Sequence, residues 1–162
     1  MSEHSTGALP ADMHTVTAHL LCRDAAAIID FCVRAFGATE TLRLPAPGGR
    51  IMHAQIRIGD SAVMLADTHP DCGSRDPDGL GGTPVVLHLQ VPDVDATYER
   101  ALAAGAVSVM PPQDMFWGDR YGQVRDPNGH VWALATHVRD VSYDELLAAG
   151  AAMAGSTPPK EA

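Results

Sequence analysis

Three histidines stand out by position. His19, His53 and His88 fall in segments that read as strands, where successive side chains point to opposite faces. Over residues 85–91, Leu87, Leu89 and Val91 make one apolar face, and Val86, His88 and Gln90 make the other. Over 16–22, Val16, Ala18, Leu20 and Cys22 match the apolar face, while Thr17, His19 and Leu21 point the opposite way. Over 51–58, Met52, Ala54, Ile56 and Ile58 are apolar and His53, Gln55 and Arg57 alternate with them. Over 119–125, Tyr121 and Gln123 oppose Gly122 and Val124. A merely solvated second face would be expected to carry more Lys, Glu and Thr. His, Gln and Tyr suit a concave site for a small molecule, partly apolar with a few polar groups. The competing readings are an ordinary exposed strand face and a dimer contact.

Trp117, in the run Phe116–Trp117–Gly118–Asp119–Arg120–Tyr121, can stack a flat or cationic ligand group or can cap the edge of the core. Trp132 reads as core. Asp119 and Arg120 read as a surface pair, with contact to a cationic ligand the other reading for Asp119, and Asp126 reads as a turn residue. His130 opens the last strand and reads as a turn contact. Three histidines, His19, His53 and His88, could hold zinc or copper in an unusual site, or could be hydrogen-bonding cavity walls. No Ser-His-Asp or Cys-His arrangement can be argued. The run 79–82 lacks the lysine and the following helix of a phosphate loop. Cys22, Cys32 and Cys72 have no C-x-x-C spacing, and Cys22 and Cys32 read as buried free thiols.

The elements that must position these residues form an internal repeat. Residues 15–67 and 85–136 share one order: an apolar strand, an Asp suited to cap a helix (Asp24, Asp93), a helix, a Gly-Ala stop (Gly37-Ala38, Gly105-Ala106), then three strands. An offset of 69 carries His19 onto His88, Leu20 onto Leu89 and Leu65 onto Leu134, with a one-residue adjustment in the helices. The expected parts are a flexible N-terminus (1–13), a first βαβββ module (14–67), a linker (68–83), a second module (84–137), a C-terminal helix (138–155) opened by a Ser142/Glu145 capping box, and a frayed tail (156–162). The fold class is α+β: two tandem βαβββ modules forming a curved, half-open mixed sheet with helices on the outer face.

Composition narrows the function. The formal net charge of the 162 residues is −9, with ten Arg and one Lys, which repels nucleic acid and anionic lipid and mildly favours a cationic ligand. No apolar run is long enough to span a membrane, and the first residues lack a signal-peptide layout, so a cytoplasmic protein is expected.

The runs RDAAAIIDFCVRAFGA (23–38), GGRIMHAQIRIGDSAVMLAD (48–67), GGTPVVLHLQVPDVDA (81–96) and MFWGDRYGQVRDPNGHVWALATH (115–137) resemble the glyoxalase / bleomycin-resistance / extradiol-dioxygenase (vicinal oxygen chelate) superfamily. Within it they resemble most a glyoxalase-like, phosphonate-cluster-associated subgroup. The resemblance implies paired βαβββ units, a homodimer, and cavities that draw on both chains. Metal-dependent members carry His or Glu ligands at positions that fall here on Thr17, Met64, Val86 and Ala133. None of these is His, Glu or Asp, so the expectation is no metal and no cofactor. The expected partner is a small-molecule ligand held by His19, His53, Gln55, His88, Gln90, Trp117, Tyr121 and Gln123. The expected function is non-catalytic binding, such as sequestration of an antibiotic. The alternative is a glyoxalase-like lyase or isomerase using His19, His88 or Tyr121 for proton transfer, and a regulatory or structural role is the third reading.

Overall fold

The computed structural model describes Pro10 and residues 13–155. The expected flexible N-terminus lies almost wholly outside the described residues, and the expected frayed tail wholly so.

The first module runs β1 (Ala18–Cys22), α1 (Ala25–Phe36), β2 (Thr39–Ala46), β3 (Arg50–Ile58) and β4 (Ser61–Asp67). A short helix, α2 (Pro77–Leu80), follows in the linker. The second module repeats the order with β5 (Val86–Gln90), α3 (Val94–Ala103), β6 (Val107–Asp114), β7 (Asp119–Arg125) and β8 (Val131–His137). The chain then forms α4 (Tyr143–Gly155). The strands make two four-stranded mixed sheets, ordered β1-β4-β3-β2 and β5-β8-β7-β6. In each, the first strand lies parallel to the last and the other pairs are antiparallel.

Local chemistry starts both helices in the same way. Asp24 accepts from the Ala27 N–H at 3.0 Å and Asp93 from the Ala96 N–H at 2.9 Å. The end of each last strand supplies a second acceptor. Asp67 takes the Ala25 N–H at 2.7 Å, and Thr136 takes the Val94 N–H at 2.8 Å. Each acceptor lies 69 positions from its counterpart, so the offset seen in the sequence is also the spacing of these contacts. Gly37 ends α1 in the left-handed region, at φ 68°, as its lack of a Cβ allows. At the end of α3, Ala104 is the cap and Gly105 follows it.

The helices pack against each other and against the backs of both sheets. Ile28, Phe31 and Cys32 of α1, Tyr98 and Ala101 of α3, Leu20, Ile56 and Leu65 of the first sheet, and Val124, Trp132 and Leu134 of the second form one core. Full burial of side chains of this size contributes about 1.5–3 kcal/mol each. Trp132 is buried as expected, with Phe36 against its ring at 5.0 Å. Cys22 and Cys32 are buried free thiols, and burial pushes both well above the ordinary thiol range. No helix among the described residues is long and apolar enough to cross a membrane.

Several boundaries differ from the sequence reading. The first strand starts at Ala18, and Val16 is 86% exposed. Met52, expected on the apolar face, is 62% exposed. Leu44 pairs with His53 and Pro45 with Ile51, so Met52 is the extra residue of a β-bulge and Ile51 takes the buried place. The second strand of each module runs through prolines, Pro45 in β2 and Pro111 and Pro112 in β6. Both are outermost strands, where a missing N–H costs no ladder bond. The Ser142/Glu145 capping box forms as expected, each residue accepting from the other's backbone N–H.

Candidate functional site: two histidine-bearing sheet faces

Register decides which side chains share a face. In the second sheet, His88 pairs with Ala133, Ala133 with Gln123, Gln90 with Ala135, and Ala135 with Tyr121. The back of this sheet, Val124, Trp132 and Leu134, is in the core. His88, Gln90, Tyr121 and Gln123 therefore share the front face. His88 stacks on Tyr121 with ring centroids 6.1 Å apart, and Trp117 meets Tyr121 edge-on at 5.7 Å. Phe116 extends the row, edge-on to Trp117 at 5.1 Å. Gln90 hydrogen-bonds the His88 ring at 3.2 Å, and the Gln123 amide donates to the Tyr121 hydroxyl at 2.6 Å. Tyr121 can still donate its own proton to a ligand. Trp117 is 36% exposed, so its ring is open to contact while its edge is held.

In the first sheet, His19 pairs with Met64, Met64 with Gln55, Gln55 with Leu42, and His53 with Leu44. The His19 and His53 rings meet edge-on at 5.6 Å. Burial and then the neighbouring His53 imidazole push His19 below its ordinary value, so it favours the neutral form. Gln55, expected as a ligand contact, is buried between Leu42 and Met64 on this face.

Met64, Val86 and Ala133 lie on the front faces, and Thr17 stands just ahead of β1, its hydroxyl donating to the His14 carbonyl. Between them these four side chains offer one hydroxyl and one thioether, which does not fit the needs of a divalent ion. Among the described residues no three His, Cys, Asp or Glu side chains are grouped as a metal site. His88 belongs to a different sheet from His19 and His53, so the unusual three-histidine site does not assemble within the described residues.

Other residues behave differently from the sequence reading. Arg120 pairs with Asp95 at 2.7 Å and Asp114 at 3.1 Å, not with Asp119. Adjacent strand residues point to opposite faces, which separates Asp119 from Arg120. Asp119 instead meets the His137 ring at 3.0 Å. His130 precedes β8 and is buried. Asp126 is structural as expected, and its burial goes beyond a turn residue's. It accepts the Asn128 and His130 N–H groups and the Trp132 indole N–H, at 2.9, 3.0 and 3.0 Å. Asn128 accepts the Arg23 N–H at 2.6 Å and donates to Asp76 at 2.7 Å, joining both modules and the linker. Burial works against the charge on Asp76, but bonds from Asn128 and the Gly79 N–H outweigh it and hold the carboxyl below its usual range. No spacing rule in the sequence marks Asn128 as a junction, because its partners are 52 and 105 positions away.

Residues 13–134 match the Glyoxalase/Bleomycin resistance protein/Dioxygenase superfamily. The chain belongs to that superfamily. It is 52% identical over 134 residues to the uncharacterized protein Rv0887c of Mycobacterium tuberculosis, covering 81% of this chain and 79% of that one. Among solved structures it resembles TioX from Micromonospora sp. ML1, at 36% identity and TM-score 0.61, covering 75% of this chain and 97% of that one. It also resembles the fosfomycin resistance protein FosX from Mesorhizobium loti, at 17% identity and TM-score 0.58, covering 83% of this chain and 97% of that one. The last likeness is one of fold. This member of the superfamily carries two βαβββ modules, each with a four-stranded mixed sheet.

Proposed function

We propose that the protein binds a small organic molecule on its front faces and releases it unchanged, as in sequestration of an antibiotic. The observation that carries this reading is the row Phe116–Trp117–Tyr121–His88, held by two glutamines on a face whose ligand positions carry no metal-binding group. Such a row stacks a planar group and offers a few directed hydrogen bonds. A homodimer fits the same reading. Leu42 and Leu44 on the first face and Val86 on the second are 42–47% exposed, and a second copy would cover them and close the cavity. We also assign the chain to the glyoxalase-like, phosphonate-cluster-associated subgroup, on the sequence runs that carry that resemblance.

Thermal-shift screening of the full chain against planar antibiotics and metabolites tests this reading. A ligand should raise the melting temperature, and Trp117→Ala should weaken its binding about three- to tenfold, the worth of one aromatic contact. Steady turnover of the methylglyoxal–glutathione adduct, lost on adding a chelator, would overturn the reading.

A further inference from the structure

We infer that the cavity between β1, the linker and β5 is a second binding site, built for a compact carboxylic acid with an apolar body. The cavity has a volume of about 290 Å³. Its walls are largely apolar, Leu21, Pro77 and Leu80 among them, and its basic groups are His19, Arg75 and His130. No carboxylate lines it, in a chain whose net charge is −9. That contrast is the charge complementarity on which the choice of an anion rests.

The neighbouring acids are already committed elsewhere. Asp76 caps α2 through the Gly79 N–H and holds Asn128, and Asp78 pairs with Arg23 at 2.9 Å. Arg75, beside them in sequence, makes no ion pair among the described residues. His130 gives an independent sign of a missing partner. Its side chain is only 10% exposed, and Nδ1 is buried without a hydrogen bond among the described residues. Nδ1 lies 3.3 Å from the Asp126 oxygen that takes the Trp132 indole N–H, without bonding it. A buried polar group without a bond is costly, and a ligand that bonds the ring would recover part of that cost. Arg75 supplies a fixed positive charge, and the imidazoles supply N–H donors to a carboxylate. This site shares His19 with the first front face but lies apart from the aromatic row, none of whose members lines it.

Hexanoate and hexanamide are the probes, since neither has a ring to stack on Trp117. Titration calorimetry on the full chain should show hexanoate binding at least tenfold tighter than hexanamide. Arg75→Gln, at an exposed position, should cost hexanoate at least tenfold and leave hexanamide unchanged. Hexanoate should shift the NMR signals of the His130 ring and leave Trp117 emission unaltered. Equal affinity for acid and amide, an Arg75→Gln protein that binds as before, or an unmoved His130 ring overturns the inference. So does hexanoate binding only to protein diluted below self-association, which would assign the cavity to a second copy of the chain. A front-face ligand that quenches Trp117 would stand or fall independently of any of these outcomes.

Discussion

His19, His53 and Gln55 in the first sheet occupy the places of His88, Tyr121 and Gln123 in the second. In each sheet the glutamine pairs with the residue opposite the first-strand histidine, Met64 in one and Ala133 in the other. The two ring pairs are correspondingly close, at 5.6 and 6.1 Å. The faces nevertheless differ in kind. Gln55 is buried among larger neighbours, whereas Gln123 stands over Ala133 and is free enough to support Tyr121. Only the second face gains a Trp-bearing loop, from the turn between β6 and β7. The register is shared, while the glutamine is buried on one face and supports a tyrosine hydroxyl on the other.

The modules also differ in the hairpin behind these faces. Between β3 and β4 the chain turns through Gly59–Asp60, both exposed. Between β7 and β8 it turns through 126–129, where Asp126 and Asn128 are 4% and 2% exposed. The largest expected effect tests this contrast. Asp126→Ala strips three donors of their acceptor in a buried place and should cost about 3–5 kcal/mol. Asp60→Ala should stay within about 0.5 kcal/mol of the parent protein. Urea denaturation of both variants decides it, and equal losses would break the contrast.

A smaller pair of changes tests what the modules share. Asp24 and Asp93 cap their helices with the same geometry, so each Asp→Ala change should cost about 1 kcal/mol. Unequal losses in thermal unfolding would mean that one helix relies on its strand-end acceptor, Asp67 or Thr136, more than the other does.

These cases also separate what the sequence made legible from what it did not. The caps at Asp24 and Asp93, the αL glycine after α1 and the front-face alternation of His88, Tyr121 and Gln123 follow from local rules, and each was readable. Met52 was misplaced because a bulge adds a residue without leaving a glycine or other mark at that point. Asp126 read as a turn residue because only the tertiary fold brings Trp132 and His130 over its carboxylate. Arg75 and His130 line one cavity from two separate segments, and no periodicity links them. No local rule points to His137, whose partner Asp119 is set by strand pairing across β7 and β8.

The smallest expected effect concerns that residue, and it sharpens the contrast with His19. The carboxylates of Asp140 and then Asp119, at 2.9 and 3.0 Å, raise His137 above its ordinary value of 6.5, while burial and His53 lower His19. Both ring nitrogens of His137 donate only in the imidazolium form. A group whose folded pKa is raised gives stability that is complete below its unfolded pKa and is lost as pH climbs through the folded one. The contribution should therefore fade from pH 6.5 upward. The segment it steadies is the aromatic loop. The Val138 and Arg139 N–H groups both donate to the Gly118 carbonyl, at 2.9 and 3.1 Å, and Gly118, at φ 101°, leaves no room for a side chain beside Arg139. His137 is exposed, so salt should shrink the effect. NMR titration should place the His137 midpoint above that of His19. Trp117 emission should drift slightly over the same range and lose that drift in His137→Gln. A His137 midpoint at or below His19's would mean the two carboxylates leave the ring to solvent, and the loop would then be held by its backbone bonds alone.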